Sequence, residues 1–463
     1  MIDSPKHKGS VLIFTIHRVE PWWAEVGRSL GFEQSFTVSD IRGDGTYCLA
    51  DDFYAAYPSR LKGAGPTHFS NEEITDIIAR CRLLRWLPEG QAKAMILAMA
   101  DAQVKVLDDA KPALVTAFPM DRYVSDVLER LCVARGVPFY ELTASAVPGM
   151  SMLMIRGQLV TTRESPDPAL VEKVIDEIAD PLFAPAYVEG VNSFTRLRWL
   201  KTFAYFRLRG LYFRAYSMLI KDPMSSHYLD AQSFLGHKPL LSDVGICGMV
   251  DRQWKSKMSD FPKEKRLFMG LQLFPEASID YWIANRELIA HDDLLERVAR
   301  RFSDAGYCIA IKDHPLQFGF RRTDLIRRLL AIPNTVFVPY DVSGNVVLDY
   351  CGVNFTCTGT LGMQAALTGK VSIATPCYYT TQEDFVLFSD LSDVDTLPER
   401  VAMFKQPPLR DSQRRIVSHL LQGSFESNFF SFKGFNPSAP DPAVSELGRA
   451  FGKFLHSLEA GRT

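Results

Sequence analysis

The apolar positions of this chain fall mostly into short runs of four to six, each followed by a polar loop and then by a stretch with helical spacing. Val11 to Ile16 is the first such run, and Trp22 to Leu30, closed by Gly31, is the helical pattern after it. A continuous apolar run bounded by turn residues reads as a strand buried on both faces, as in a parallel sheet. A long helical stretch from Glu72 to Asp109 is broken near Pro88-Glu-Gly90. A strand Ala113 to Ala117, a helix Tyr123 to Ala134, Gly136 and a strand Val137 to Leu142 follow. This alternation predicts a doubly wound α/β domain over roughly the first 175 residues.

The pattern then changes. Phe194 to Lys221 carries seven Lys/Arg, no acidic residue and aromatics throughout. It reads as a helix or helical pair with a buried aromatic side and outward cations. The stretch to Pro262, with Gly236, Pro239, Gly245 and Gly248, is irregular and marks the crossover between domains. The strand and helix alternation resumes with strands Arg266 to Gln272, Tyr307 to Lys312, Thr335 to Val338 and Lys370 to Ala374. Between them lie helices Asp292 to Asp304, Thr323 to Leu330, Val346 to Tyr350 and Leu361 to Leu367. The expected division is 1–175, an N-terminal Rossmann-like domain; 176–262, a basic and aromatic connector; and 263–463, a C-terminal Rossmann-like domain with C-terminal helices.

Composition narrows the class. With 463 residues, 47% hydrophobic and 11% aromatic, the chain is too apolar for a disordered coil and long enough for two cores. Its 52 Lys and Arg against 54 Asp and Glu leave no global attraction to nucleic acid. The 8 cysteines include no C-x-x-C pair and no Cys/His cluster at zinc spacing, which predicts separate reduced thiols. The polar start MIDSPKHKGS has no signal-peptide character, and no apolar run reaches spanning length, so a cytoplasmic location is expected.

Three loops of the second half follow strands and therefore gather along one sheet edge. QLFPEAS, Gln272 to Ser278, offers Glu276, a carboxylate able to accept from vicinal hydroxyls or to stand as a solvated loop residue. Lys312-Asp-His-Pro315 places a cation and an imidazole above the sheet, with Pro315 ending the strand. Thr358-Gly-Thr360 opens a helix, where free N–H groups and hydroxyls suit a phosphate. There is no Walker loop and no G-x-G-x-x-G after the first strand, so kinase, P-loop and dinucleotide-dehydrogenase chemistry are disfavoured.

The succession QLFPEAS, IAIKDHP with PNTVFVP, and FTCTGTLGMQAALTGKVSIA resembles the bacterial capsule and surface polysaccharide biosynthesis proteins, a group that includes Kdo transferases. These are similar in architecture to GT-B glycosyltransferases and to sialyltransferases that use CMP-sugars. The resemblance covers about residues 266–380. It implies two Rossmann-like domains facing a cleft and a nucleotide-sugar donor, most simply a CMP-linked acidic sugar, with no cofactor and no metal. On it, His314 and Pro315 match the His-Pro motif, Lys312 the preceding basic residue, Glu276 the Pro-Glu carboxylate, and Thr358, Gly359 and Thr360 the phosphate turn. At Met363-Gln364 this chain departs from relatives that carry an acidic residue; Gln364 can still bond a ribose hydroxyl.

His314 is the expected proton or hydrogen-bond donor to the leaving phosphate, and Asp121 or Glu141 the expected base, since both follow predicted strands. Asp121 can equally cap the next helix. The implied acceptor is a surface glycan, free or lipid-linked. The segment 194–221 is read first as a connector and second as a contact with the inner membrane face. A UDP-sugar epimerase, a polyol-phosphate transferase and an inactive glycan-binding scaffold of the same architecture are the competing readings.

Overall fold

The strand runs do assemble into two separate sheets. The computed structural model describes residues 6–16, 19–181, 183, 185, 195–220, 237, 240–318, 320–439 and 441–460. Its strands are His7–Thr15 (β1), Phe32–Ser39 (β2), Tyr47–Cys48 (β3), Pro112–Ala117 (β4), Phe139–Ala144 (β5), Met150–Ile155 (β6), Gln158–Leu159 (β7), Arg266–Gly270 (β8), Cys308–Lys312 (β9), Thr335–Phe337 (β10), Val353–Phe355 (β11), Val371–Ala374 (β12), Val386–Leu387 (β13) and Ser424–Glu426 (β14). The protein is α/β, with two Rossmann-like units.

In the first unit the order is β14-β6-β5-β4-β1-β2-β3, with β7 paired to β6. Strands β1 to β5 are parallel, while β6 runs antiparallel to β5 and β14 antiparallel to β6. Val11, Leu12 and Ile13 on β1 are fully buried, as their unbroken apolar run requires of a central strand covered on both faces. The helix Glu20–Ser29 packs Trp22, Trp23 and Val26 into the same core as Phe425 and Phe451. Residues 418–463 belong to this unit, which differs from the expected assignment of 263–463 to one domain. The return is driven by β14 pairing with β6 and by the helix Pro442–Ala460 lying close on Glu20–Ser29. Gly448 and Gly452 permit that approach: a Cβ there would come within 2.5 Å of the Val26 carbonyl and 2.3 Å of the Leu30 carbonyl.

The second unit takes in 171–184 and 188–417. Its sheet is wholly parallel in the order β10-β9-β8-β11-β12-β13, so the chain winds outward in one direction from β8 and in the other from β11. Such a reversal leaves a crevice beyond the carboxyl ends of the two central strands, because their following loops diverge.

The basic segment forms one helix, Arg196–Ile220, rather than a pair. Phe194, Lys221 and the side chains of Trp199, Phe206 and Phe213 lie outside the described residues. The expected burial of the aromatic side does not extend to Tyr205 and Tyr212, which are exposed. No helix of the described residues is long and apolar enough to cross a membrane.

Candidate functional site

The crevice of the second sheet is occupied by a side chain that sequence reasoning passed over. Gln272, just past β8, turns its amide into the turn after β11. Its Oε1 accepts from Thr356 Oγ1 at 3.1 Å, Cys357 N at 2.9 Å and Thr358 N at 3.2 Å, and its Nε2 donates to Thr358 Oγ1 at 3.1 Å. Thr358 in turn donates to the Ser278 carbonyl at 3.0 Å, and Gly359 N donates to Thr356 Oγ1 at 3.1 Å. A Cβ on Gly359 would meet that hydroxyl at 2.6 Å, so the turn needs glycine for space.

The donors expected of Thr358 and Gly359 are therefore engaged in building the turn, and Gly362 N is held by the Gly359 carbonyl at 2.9 Å. Among the described residues no acceptor meets the N–H of Thr360 or Leu361, the first two residues of the helix Thr360–Leu367. The anion-binding capacity of the motif is thus displaced to the helix start itself.

Beside it stands Lys312. It ends β9 in register with Gly270 on β8, and Leu361 lies directly over Gly270, with 3.0 Å between its Cδ1 and the Cβ position there. Adjacent strands are about 5 Å apart, so Lys312 sits one strand from the helix start. The residue is only 6% exposed, its ammonium forms no salt bridge among the described residues, and Nζ is not among the side-chain atoms sealed from solvent without a partner. Burial pushes it below the usual lysine range, against the pull of Asp313 and Asp341. A largely buried cation that those carboxylates attract but do not bridge is costly to a fold and is the arrangement a bound anion would relieve.

The His-Pro turn is fastened from below by Asp313. Its Oδ1 accepts from His314 N at 2.8 Å and Arg321 Nε at 2.9 Å, and its Oδ2 from Tyr340 Oη at 2.7 Å. Arg321 also donates to the Gln272 carbonyl at 2.6 Å, which joins this turn to the crevice. Pro315 opens a short 3-10 turn to Gln317, whose N–H returns to the His314 carbonyl at 2.9 Å. His314 is half-buried and pushed down to about 4, by burial first, with Arg321 and Lys312 disfavouring the cation and Asp313 opposing them. At neutral pH it is an uncharged imidazole. Of the two roles expected of His314, a neutral imidazole suits hydrogen-bond donation.

The remaining expected residues are scattered around this centre. Glu276, half-buried, precedes the short helix Ala277–Asp280 and accepts from Ser278 Oγ. Gln364 is buried in Thr360–Leu367 and gives its amide N–H to the Phe183 carbonyl, so the amide expected at a ribose is used within the protein.

In the first unit, Asp121 follows β4, next to β1 in the sheet. It accepts from Arg122 Nε at 3.1 Å, and Arg122 Nη1 reaches Asp40 beyond β2 at 2.9 Å. The capping alternative for Asp121 fails: the N-cap of the helix Tyr123–Ala134 is Arg122, with no side-chain cap bond. Glu141 does not follow its strand but lies inside β5, opposite Ala117 and Met154. The antiparallel β6 carries β5 past the predicted end at Leu142, and Glu141 becomes fully buried, accepting from Arg156 N at 3.0 Å. Arg156 is bound in turn to Asp126 and Glu129.

Burial raises the Glu141 carboxyl from its usual 4.5 to about 7. Its neutral form is therefore favoured in the fold, a contribution fully present below pH 4.5 and lost as pH rises through about 7. That is roughly 3 kcal/mol by the ordinary conversion of such a displacement. Glu141→Gln should accordingly stabilise the first unit at pH 8 by about 2 kcal/mol and change little at pH 4, measured as melting curves across that range. Equal effects at both pH values would contradict the buried-carboxyl account.

All 8 cysteines are free in the structure, six of them buried. Among the described residues no group of three or more His, Cys, Asp or Glu is placed to hold a metal.

No protein-family model matches this chain, and no curated protein matches it by sequence. Among solved structures it is similar to the beta Kdo 2,7 transferase KpsC of Thermosulfurimonas dismutans, with 9% identity, 97% of this chain and 99% of the other covered, and a TM-score of 0.37. A glycosyltransferase from Rickettsia africae has 9% identity, covers 99% of each chain and scores 0.28. The UDP-GlcNAc 2-epimerase of Methanocaldococcus jannaschii has 10% identity, covers 90% of this chain and 100% of its own, and scores 0.25. Likenesses this distant assign no activity to the chain.

Proposed function

We propose that this protein is a glycosyltransferase of GT-B type that takes a sugar from a nucleotide donor, a CMP-linked acidic sugar such as Kdo, and passes it to a surface glycan or glycolipid. The observation that carries the reading is Lys312, a largely buried lysine that forms no salt bridge among the described residues, at the carboxyl edge of a 3-2-1-4-5-6 parallel sheet beside an open helix start. A donor phosphate at this place would accept from Lys312 Nζ, from the N–H groups of Thr360 and Leu361, and from His314. As the bond from the anomeric carbon to the phosphate oxygen breaks, the negative charge that gathers on the phosphate is met by donors already in place. Glu276 is the proposed carboxylate for ribose or sugar hydroxyls. Asp121 is preferred to Glu141 as the acceptor's base, because Glu141 is sealed inside β5 and Asp121 is not.

The epimerase reading differs in its nucleotide, which makes thermal shift with CMP, CDP and UDP the deciding experiment. The proposal expects CMP to raise the melting temperature. A response to UDP alone would replace it with the epimerase reading, and no response to any of the three would leave the scaffold.

A further inference from the structure

The helix Arg196–Ile220 carries a feature that the transferase reading does not use. Its large apolar and aromatic side chains exposed by more than half are, among the described residues, Leu197, Leu200, Tyr205, Leu208, Leu211, Tyr212 and Leu219, with Leu208 at 67% and Leu219 at 83%. At about 100° per residue these positions fall within an arc of roughly 140°, a single stripe along the helix. The stripe runs over 25 residues, about 37 Å. Arg198 and Arg209 border it by register along one side, while Lys201 lies within it and is exposed, and the sequence of the helix has further arginines at 196, 207 and 214. The helix contains no acidic residue.

Leucines at this spacing, left in water, are what a soluble surface ordinarily avoids. The basic character of the helix, with no carboxylate in it, states what can cover them. A second copy of the helix would set basic residues against basic residues with no carboxylate to neutralise them. A nucleic acid would satisfy the cations and leave the leucines wet. An anionic lipid surface satisfies both, since the leucines enter the acyl boundary, the tyrosines sit at its edge and the arginines reach the headgroups.

We infer that Arg196–Ile220 docks this protein, lying in the plane, on the surface of an anionic membrane. This reading stands apart from donor binding, because lipid contact and nucleotide contact are measured separately.

The test is flotation of the full chain with vesicles of equal parts phosphatidylglycerol and phosphatidylcholine, against vesicles of phosphatidylcholine alone, without nucleotide. The protein is expected to float with the anionic vesicles and to be released as salt is raised. Leu208→Glu with Leu211→Glu, both at exposed positions, should lower that binding at least about tenfold with an unchanged melting temperature. Lys201→Glu should lower it by less and in a salt-dependent way. Equal binding to both vesicle types, no binding to either, or undiminished binding by the double variant would overturn the inference. So would a dimer in lipid-free solution that the double variant dissolves, since the stripe would then belong to a second copy.

Discussion

Lys312→Met should lose donor binding and turnover by at least about a hundredfold while the protein becomes more resistant to heat. The two effects have one cause. In the empty protein the lysine is largely buried and forms no salt bridge among the described residues, so an apolar side chain of similar shape fits that position better, by about 1 to 2 kcal/mol. In the donor complex the same ammonium meets the phosphate, where a charge-assisted contact in a dry site is strong. A structural lysine gives the opposite pattern, a lower melting temperature and little change in binding. Melting curves and nucleotide titrations of the one variant therefore separate the two roles.

Asp313→Ala should be the most destabilising single change near the site. It removes the acceptor of His314 N, Arg321 and Tyr340 together, and leaves the Arg321 guanidinium, 3% exposed, without its carboxylate. Breaking a buried pair from one side costs about 3 to 5 kcal/mol. Asp313→Asn retains a carbonyl acceptor and the shape of the side chain, and should lose about half as much. Urea unfolding monitored on both variants checks the order. An alanine variant as stable as the parent would show that the His-Pro turn is held by other contacts.

These two residues also mark how much of this turn's position was legible in the sequence and where that stopped. Lys312 and His314 were legible because a strand ending in Lys-Asp-His-Pro must present its next side chains at the sheet edge, and Cys308–Lys312 does end there. Asp313 was passed over between them because its meaning depends on Arg321 and Tyr340, partners that meet it only once the loops fold. Gln272 was missed for the same reason, since nothing in QLFPEAS announces that its amide will bridge to Thr356, Cys357 and Thr358.

The fold follows the same division. Runs such as Val11 to Ile16 and Arg266 to Gln272 became strands because a central parallel strand is apolar throughout. Phe32–Ser39 and Met150–Ile155 were not read, the first because FEQSFTVS mixes polar residues into a strand whose first half is partly exposed. The return of residues 418–463 to the first unit was not readable from local pattern, because it rests on β14 pairing with a strand far back in the chain. That omission had a chemical consequence: without β6 and β14, Glu141 looked like a strand-end carboxylate and not a buried one.

The central claim is that a nucleotide's phosphate is held at Lys312. Calorimetric titration of CMP and of cytidine into the parent and into Lys312→Met tests it most directly, since the difference between the two ligands isolates the phosphate. The account predicts that CMP binds the parent far more tightly than cytidine does, and that in Lys312→Met the two ligands bind alike. CMP binding undiminished in the variant would contradict it.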